Sequence, residues 1–374
     1  MTCPNLGESL KPPKTLIESG AIIHHLSKKG KFFLNVSSFT TFLLALYFHE
    51  CYDNGQIIKK FKGLAQMNHW GEKRYHSMDY DLKTIYGEKV YKITLNGGMT
   101  CPNRDGTVGK GGCIFCSSKG SGDFAGNARA SISEQIACGK EALQRKRPVH
   151  SYIAYFQAFT NTYAPVPYLK KLYREAIRDP EVRILSIATR PDCLGEDVLV
   201  LLDKINQIKP VWIELGLQTI HPDTASYIRR GYDLTAFEDA VRHLRSLGIT
   251  VIVHTILYLP GESRKDMLET LDYLNHMDIQ GIKLQLLHVL KDTVLASEYR
   301  NHPFHIPDMM EYIQFLGVCI ARLNPRITIH RLTGDGPSEL LIAPLWAGNK
   351  RTVLNTLHRY LKEQDIWQGK EYYD

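Results

Sequence analysis

Short runs of apolar and β-branched residues alternate with longer amphipathic segments from about residue 89 onward. The short runs predict six β-strands: VYKITLN (90–96), SYIAYFQ (151–157), RILSIAT (183–189), VWIELGL (211–217), TVIVHTILYL (250–259) and GIKLQLLHV (281–289). The segments between them carry apolar residues at helical spacing and predict helices at 131–145, 167–179, 195–208, 234–248 and 264–277. Because strands and helices alternate, the strands are predicted to be parallel and joined by crossover helices.

This repeated unit fits either an open Rossmann-type sheet or a partial barrel. No G-x-G-x-x-G motif follows the first predicted strand, so the dinucleotide-binding sheet is the weaker alternative. We therefore predict an α/β fold, a partial (βα)6 TIM-like barrel, whose chemistry lies where strands end and loops begin. Four successive strand ends carry polar or cysteine-rich sequence: the cysteine loop, Gln157, TRPD (189–192) and GLQT (216–219).

The regular alternation ends near residue 290, which indicates a second region. PDMMEYIQFLGVCIARL (307–323) predicts a helix and RITIHRL (326–332) a strand. A loop then leads to NKRTVLNTLHRYLKEQ (349–364), a predicted helix rich in Lys and Arg. We predict a core at 67–290 and a small α/β C-terminal extension at 291–374.

Residues 1–66 stand apart from this pattern. Within them, FFLNVSSFTTFLLALYF (32–48) follows the basic KKGK and resembles a signal sequence or a membrane anchor. The run carries Asn, Ser and Thr and falls short of the roughly 20 apolar residues that a spanning helix needs. We therefore favour a helix that packs or frays, and we expect no membrane association. Because MNHWGEKRYHS, from Met67, is typical of a chain start, we hypothesise that residues 1–66 are an extension outside the working protein.

The composition is that of a folded soluble protein, with 374 residues, 44% hydrophobic and 23% charged. The formal net charge of +7 permits an anionic partner such as nucleic acid, although a solvated basic surface explains it equally well. The chain has eight cysteines, but disulfide frameworks belong to small secreted domains. Clustered thiols in a chain of this kind more often bind metal or carry out redox chemistry, and we expect a cytoplasmic protein.

Three cysteines, Cys101, Cys113 and Cys116, lie close together in CPNRDGTVGKGGCIFC, among turn-forming residues and lysine. Structural zinc requires four closed ligands. Cys138 or a histidine could be the fourth, but there is no second C-x2-C pair. A [4Fe-4S] cluster normally takes four cysteines, so three would leave one iron open to the amino and carboxylate groups of a small molecule such as S-adenosylmethionine (SAM). The residues alone favour the cluster and leave zinc as an alternative.

Four segments together resemble a known family: LNGGMTCPNRDGTVGKGGCIFC, IATRPDCL, IELGLQTIHPDTASYIRRG and LPGES. They resemble the radical SAM superfamily, in the branch related to the catalytic subunit of Elongator. More closely, they resemble a bacterial family with the same wide cysteine spacing. The resemblance covers roughly residues 68–360. The commonest spacing in the superfamily is C-x3-C-x2-C, and this chain departs from it with C-x11-C-x2-C.

The resemblance implies roles for particular residues. The three clustered cysteines would ligate a [4Fe-4S] cluster, and Phe115 matches a position where relatives often carry a shielding aromatic. Gln218 matches a glutamine that contacts bound SAM. Arg230 matches an arginine that reaches the SAM carboxylate, which a guanidinium can hold bidentately. Plain packing for Phe115 and a solvated helix-end charge for Arg230 are the structural alternatives.

Other positions depart from the family pattern. Relatives often carry a glycine-rich turn after strand two, where this chain has FQAFTNTYA, and Gln157 and Thr160 are the candidates for the same contacts with SAM. His254, in strand five, replaces an Asp of some relatives and is either a cofactor contact or a core histidine. Glu214 is predicted inside the barrel, as a ligand contact or as a structural charge that needs a partner.

The resemblance implies reductive cleavage of SAM, with a reductant such as flavodoxin or ferredoxin. The Elongator-related branch acts on wobble uridine in tRNA, so the resemblance suggests tRNA modification. The basic charge and the Lys- and Arg-bearing last helix are compatible with an RNA partner. Two alternatives are a radical SAM enzyme that acts on a small molecule and a non-catalytic zinc protein that binds nucleic acid.

Overall fold

A seven-stranded parallel sheet forms the centre of the protein. The structure is a computed structural model that describes residues 70–146, 148–334 and 336–373. The strands of this sheet are Tyr91–Leu95 (β1), Tyr152–Phe156 (β2), Val182–Thr189 (β3), Val211–Gln218 (β4), Thr250–Leu257 (β5), Gly281–Leu286 (β6) and Thr328–Arg331 (β8). They lie in the order β1-β2-β3-β4-β5-β6-β8, and all neighbours are parallel. Val289–Leu290 (β7) and Leu341–Ala343 (β9) pair antiparallel in a separate sheet.

Helices connect the strands and bury their apolar sides against the sheet. They are Met78–Tyr86 (α1), Pro102–Asp105 (α2), Ile132–Gln144 (α3), Val166–Arg178 (α4), Glu196–Asn206 (α5), Pro222–Tyr227 (α6), Leu234–Ser246 (α7), Arg264–Asn275 (α8), Val294–Asn301 (α9), Met309–Arg322 (α10) and Lys350–Glu363 (α11). Their ends follow the local sequence. Ser131 and Glu134 form a capping box at the start of α3, because each side chain accepts a hydrogen bond from the other residue's backbone N–H.

Contacts across the sheet require it to curl. Neighbouring strands lie about 4.8 Å apart, which would place β1 and β4 about 14 Å apart in a flat sheet. Lys92 Nζ on β1 nevertheless lies 2.7 Å from Oε1 of Glu214 on β4. Lys283 Nζ on β6 likewise lies 3.3 Å from the hydroxyl of Tyr155 on β2. β1 and β8 are the two ends of the strand order, so the barrel stays open between them.

The predicted α/β partial barrel is confirmed. All six predicted strands and the five helices between them form, with ends within three residues of the prediction. The sixth strand was predicted to continue to residue 289, but β6 ends at Leu286 and the next residues leave the barrel to form β7. The strand predicted at 326–332 becomes β8 and adds a seventh strand to the sheet. The short helices α2, α6 and α9 and the first helix α1 were not predicted.

The predicted division of the chain stays a prediction. Residues 1–66, including the apolar run 32–48, lie outside the described residues. Residues 328–331 belong to the predicted C-terminal extension, yet they pair with β6 of the predicted core. In the described part of the chain, no helix combines the length and the apolar character that crossing a membrane requires.

The free edge of β8 is covered by the segment that precedes α1. Ile329 N donates a hydrogen bond to His76 O (2.7 Å), and Ser77 forms a parallel bridge with Ile329. The His76 ring is fixed in turn by Pro325 O, 3.1 Å from Nδ1, and by Asp81, 2.5 Å from Nε2. Residues 76–77 therefore continue the hydrogen bonding of the sheet beyond its last strand.

Candidate active site

A large cavity opens at the carboxyl ends of the strands. Its empty volume is about 1480 Å³, counting the part that is open to solvent. Phe115 lines the cavity, and so do all nine residues predicted for the cluster and for SAM: Cys101, Cys113, Cys116, Gln157, Thr160, Glu214, Gln218, Arg230 and His254. The strand ends thus converge on one cavity, as the sequence predicts.

The wide spacing between the first two cysteines is taken up by a compact segment, residues 102–112. The segment begins with the single helical turn of α2. Val108 N then donates to Pro102 O (2.8 Å), which reverses the chain direction. Gly112 N donates to Asn103 O (2.8 Å), which brings the chain back against α2 directly before the second cysteine. A spacing of eleven residues is therefore compatible with one compact thiol loop.

Arg104 holds the second half of this loop. Its Nη2 donates to the carbonyl oxygens of Cys116 (3.2 Å) and Ser117 (2.5 Å). Gly112 adopts φ of +87°, and a Cβ atom there would lie 2.9 Å from Arg104 Nε. A side chain at this position would therefore both strain the backbone and displace the guanidinium that fixes the loop.

Cys113 is held from both sides. Asn103, which is 4% exposed, donates from Nδ2 to the Cys113 sulfur (3.5 Å) and to Arg229 O (2.6 Å). On the other side, Ile114 N donates to Ile228 O (3.2 Å), and the Ile114 side chain is buried in the apolar cluster beneath the loop. The position of this thiol is therefore set by the protein itself.

The three thiols are free, and their sulfur atoms do not all lie within 4.8 Å of one another. Within the described ranges, the one group of three potential ligand atoms within 4.8 Å of one another belongs to His221, Asp266 and Glu269. Zinc–sulfur bonds of about 2.3 Å would hold the thiolates of one tetrahedral zinc about 3.8 Å apart, which the three cysteines do not match. Cys138, considered as a fourth zinc ligand, is exposed on α3. Three thiols spread around a cavity fit a polynuclear cluster instead.

Arg190, Arg230 and Tyr232 form one side of the cavity. Both guanidinium groups contact the Tyr232 ring, and their central carbons are 4.8 and 4.7 Å from its centroid. Arg190 binds Asp192 bidentately (2.9 and 2.6 Å) and donates to Arg230 O (2.8 Å). Burial lowers the pKa of Arg190, but Asp192 outweighs burial and the net pKa is raised. Sequence reasoning missed Arg190, and its position directly after β3 was the available signal.

The positive charge of Arg190 affects the pKa of the Cys113 thiol. Burial, followed by the thiol of Cys116, raises the pKa of Cys113 to about 12, while Arg190 acts in the opposite direction. A thiolate at this depth therefore needs a cationic centre next to it, and a bound metal centre provides one.

Arg230 is 2% exposed, so it is not the solvated charge that the sequence left as an alternative. Its Nη1 donates to the carbonyl oxygens of Leu217 (3.0 Å) and Thr219 (2.7 Å), and its Nε donates to Tyr232 O (3.0 Å). A guanidinium has five N–H groups. The backbone takes three of them, so the two on Nη2 are those that can serve a ligand in the cavity.

Gln218 ends β4 in an unusual conformation. Its φ is +65°, which is uncommon for a residue other than glycine. The Tyr232 hydroxyl donates to Gly216 O and lies 3.3 Å from Gln218 Oε1. A Cβ atom at Gly216 would lie 2.7 Å from Gln218 Nε2, so the amide lies directly over that glycine. Both features direct a fixed amide toward the cavity side of the strand end.

Gln157 and Thr160 join the loop after β2 to the cysteine loop. Gln157 Nε2 donates to Ser121 O (2.8 Å), and Thr160 N donates to Thr100 O (3.2 Å). The side chain of Gln157 therefore has a structural role, whereas Thr160 contributes its backbone N–H. Their predicted contacts with SAM stay predictions.

Glu214 lies at the floor of the cavity and is 1% exposed. Its Oε1 accepts from Lys92 Nζ (2.7 Å) and Ser186 Oγ (2.9 Å), and its Oε2 accepts from His254 Nε2 (2.8 Å) and Lys283 Nζ. A carboxylate offers about four lone-pair sites, so these partners favour a paired structural charge over a ligand contact. Burial alone would raise the pKa of Glu214, but Lys283, Lys92 and His254 outweigh burial and hold the pKa well below its usual range.

His254 shares this environment. Burial, followed by the charge of Lys283, lowers the pKa of His254 to about 4, so the ring is neutral at pH 7 and donates its Nε2–H to Glu214. The Nε2 atom of His254 is therefore bonded within the core, as the core-histidine alternative expects. The same side chain also lines the cavity. Sequence reasoning missed Lys92 and Lys283. The signal was a charged residue at an inward-facing position of β1 and of β6.

Every strand of the main sheet contributes a polar residue to this inner side. We call these residues the polar layer: Lys92, Tyr155, Ser186, Glu214, His254, Lys283 and Arg331. Barrels of the TIM type are normally filled at this depth by branched apolar side chains. The polar layer therefore gives the cavity a charged floor beneath its thiol-bearing mouth.

A parallel half-barrel with three free thiols and a buried arginine at the strand ends defines a class of enzyme that holds an iron–sulfur cluster next to a small cofactor. Comparison with known proteins agrees with this class. Residues 101–274 match the family described as the Radical SAM superfamily, and residues 279–363 match the Radical SAM C-terminal domain. The chain is 44% identical to the uncharacterized protein YtqA of Bacillus subtilis (strain 168) over 299 residues, which cover 80% of this chain and 93% of YtqA. This chain belongs to the radical SAM superfamily.

More distant proteins share the barrel. The tRNA uridine(34) acetyltransferase of Methanocaldococcus jannaschii is 23% identical over 190 residues, 49% of this chain and 33% of that protein. The solved structure of Elp3 from Methanocaldococcus infernus superimposes with a TM-score of 0.58 at 14% identity, over 75% of this chain and 64% of that chain. The fold is therefore shared with an Elongator-type protein. The chain is a radical SAM enzyme, and its cofactors are a [4Fe-4S] cluster and SAM.

Proposed function

We propose that this enzyme modifies tRNA at the wobble uridine and that Cys101, Cys113 and Cys116 ligate its cluster. The observation that carries the proposal is the similarity of the barrel region to a protein named for uridine 34 of tRNA. A [4Fe-4S] cluster held by these thiols would supply the one electron needed for reductive cleavage of bound SAM, and thereby radical chemistry at an unactivated substrate carbon.

The chain's own side chains are proposed to position SAM rather than to react with it. The two N–H groups on Arg230 Nη2 would hold the SAM carboxylate, because a guanidinium binds a carboxylate through charge-assisted hydrogen bonds. The fixed amide of Gln218 would provide a second polar contact. Phe115, between the second and third cysteines, would cover the cluster against solvent. Gln157, Thr160 and His254 line the same cavity and are proposed as further contacts.

The cavity opens to solvent at the carboxyl ends of the strands. Part of a second molecule can therefore enter it from solvent. A nucleoside extruded from an RNA loop is such a part, since enzymes that act on bases take them out of the stack.

The proposal includes partners and location. The cluster needs a one-electron donor of low potential, and a flavodoxin or a ferredoxin is the proposed donor. A tRNA substrate and such a donor both agree with the cytoplasmic location expected from the sequence.

The first experiment uses protein purified without oxygen and reconstituted with iron and sulfide. We would add dithionite, SAM and tRNA from cells that lack this gene, then measure 5′-deoxyadenosine and the digested nucleosides by mass spectrometry. We expect 5′-deoxyadenosine together with a mass change in the nucleoside of position 34. Cys101→Ala should abolish both signals, and Cys138→Ala, which changes an exposed cysteine outside the cavity, should retain them.

Two other outcomes would decide between the alternatives. Production of 5′-deoxyadenosine without any change in tRNA would overturn the RNA substrate and favour a small molecule. Stoichiometric zinc after purification without oxygen, with no 5′-deoxyadenosine, would contradict the assignment of the three cysteines to an iron–sulfur cluster.

A further inference from the structure

The exposed side of α4 carries a dense group of positive charges. Four of its thirteen residues are exposed cations, and we call them the α4 basic stripe: Lys170, Lys171, Arg174 and Arg178. At 3.6 residues per turn the four lie within an arc of about 100°. The opposite side is apolar and buried: Leu169, Leu172, Tyr173, Ala176 and Ile177. The packing of α4 therefore fixes the stripe toward solvent.

The charges of the stripe are compensated only in part. Among the described residues, none of the four cations forms an ion pair, whereas several exposed cations on other helices do. Arg242 pairs with Asp239 on α7, and Lys265 pairs with Glu269 on α8. The one acid within α4, Glu175, accepts a hydrogen bond from Ser133 N (2.8 Å). The stripe therefore keeps a net positive charge, of which Glu175 offsets one unit.

This arrangement is unfavourable for the free helix. Lys170 and Arg174, and also Arg174 and Arg178, are like charges four residues apart, and such pairs destabilise a helix. An anionic ligand along the stripe would remove the repulsion.

The stripe is connected to the candidate active site. α4 begins at Val166, directly after the loop that carries the cavity-lining residues Gln157 and Thr160. In its first turn, the Tyr168 hydroxyl donates to Gly97 O (2.9 Å), in the segment that leads from β1 to the cysteine loop. From Lys170 to Arg178 the stripe extends about 12 Å along the helix axis, at 1.5 Å per residue. It therefore runs from near the cavity rim along the outside of the barrel.

We propose that the α4 basic stripe binds the phosphate backbone of the RNA whose base enters the cavity. This inference rests on the proposed function and adds the surface that holds the substrate. Phosphate contacts fix the register and orientation of a nucleic acid without reading its sequence. An exposed row of Lys and Arg next to a catalytic cavity meets that requirement, because the cavity can then read the base.

The test compares the salt dependence of RNA binding between two variants of the reconstituted enzyme. The stripe variant carries Lys170→Gln, Lys171→Gln, Arg174→Gln and Arg178→Gln. The control variant removes the same number of positive charges elsewhere, through Lys83→Gln, Lys204→Gln, Arg242→Gln and Lys265→Gln. The probe is a tRNA transcript with uridine at the wobble position, and affinity is measured from low to moderate salt.

Each phosphate contact that is lost should lower the slope of log K against log[salt] by about 1. We expect the slope of the stripe variant to fall by about four, its affinity at low salt to fall at least about tenfold, and the control to keep the wild-type slope. Cleavage of SAM without RNA should be the same in all three proteins, because the stripe lies outside the cavity.

The two proposals fail in different ways. Wild-type enzyme without affinity for the transcript would overturn the proposed tRNA function itself. Wild-type affinity and slope in the stripe variant, with the wild-type enzyme binding RNA, would overturn the α4 surface and leave the tRNA function standing. An equal loss of affinity and slope in both variants would also overturn the α4 surface, since net charge rather than the position of the charges would then explain RNA binding.

Discussion

The mouth of the cavity, residues 101–117, and its floor, the polar layer, hold their functional groups in different ways. At the mouth, the turn is formed by contacts between residues close in sequence, such as Val108 N with Pro102 O, and is anchored to the distant residues 228 and 229. At the floor, Glu214 binds Lys92 and Lys283, which are 122 and 69 residues away in the chain. A local turn with a distant anchor therefore sets the mouth, whereas closure of the whole barrel sets the floor. Changes at the mouth should alter the cofactor and spare the fold, and changes at the floor should do the reverse.

The largest expected effect is the loss of a thiol at the mouth. Cys113→Ala removes a proposed cluster ligand, so we expect the visible absorbance of the cluster and the formation of 5′-deoxyadenosine both to fall to background. The urea-unfolding curve of the metal-free chain should stay close to wild type, because Asn103 and Ile114 still hold the loop. Strong destabilisation of the metal-free chain would contradict the expectation that changes at the mouth spare the fold.

At the floor, Lys283→Met should cost about 3–5 kcal/mol in the free energy of unfolding, because it leaves a buried carboxylate without a main partner. The double variant Glu214→Leu/Lys283→Met removes both charges and should recover most of that loss. Urea unfolding of the metal-free chains measures both values. If the single and double variants are equally unstable, packing rather than charge holds the floor together.

The floor should also make stability depend on pH. Folding lowers the pKa of His254 from 6.5 to about 4, so the unfolded chain binds more protons than the folded chain between these values. The free energy of unfolding should therefore decrease as pH falls from 6.5 to 4, with about 3 kcal/mol from this residue. Glu214 adds a further loss as pH falls below its unfolded pKa of 4.5, because its folded pKa lies well below that value.

His254→Gln in the metal-free chain isolates this contribution. Denaturant unfolding at several pH values should show a shallower dependence than wild type over that window. Identical curves for the two proteins would mean that His254 is not the titrating group.

The smallest expected effect returns to the mouth. Asn103 Nδ2 donates to the sulfur of Cys113, and such a bond stabilises the added negative charge of a reduced cluster. Asn103→Ala should lower the ratio of reduced to oxidised cluster at a fixed solution potential by about tenfold, which corresponds to about 59 mV for one electron. Redox titration followed by electron paramagnetic resonance measures the shift. Asn301→Ala, on the surface of α9, should leave the potential unchanged, and an equal shift in both variants would exclude the hydrogen bond as the cause.

The sequence predicted much of the fold because each strand and helix carries its own periodic signal. It did not predict that β8 joins the main sheet, since pairing between distant segments leaves no mark in local periodicity. β7 and β9 span only 289–290 and 341–343, too few residues for a pattern.

The candidate site likewise contains some residues that the sequence identifies and others that only the structure locates. The thiols and Arg230 lie in short motifs that a sequence displays directly. The partners of Glu214 depend on the curl of the sheet, so Lys92 and Lys283 could be located only in three dimensions. Arg190 lay in a noted motif, but its stacking on Tyr232 depends on a loop more than forty residues further along the chain.

Residues 76–77, which pair with the edge of β8, affect how this protein behaves in solution. Exposed strand edges recruit other chains and lead to aggregation. Residues 76 and 77 occupy the edge of β8 through Ile329, and the ring of His76 is fastened to Pro325 and Asp81. A chain shortened beyond residue 77 would keep every cavity residue yet expose a sheet edge to its own copies. Monodispersity thus depends on a few residues that take no part in the chemistry.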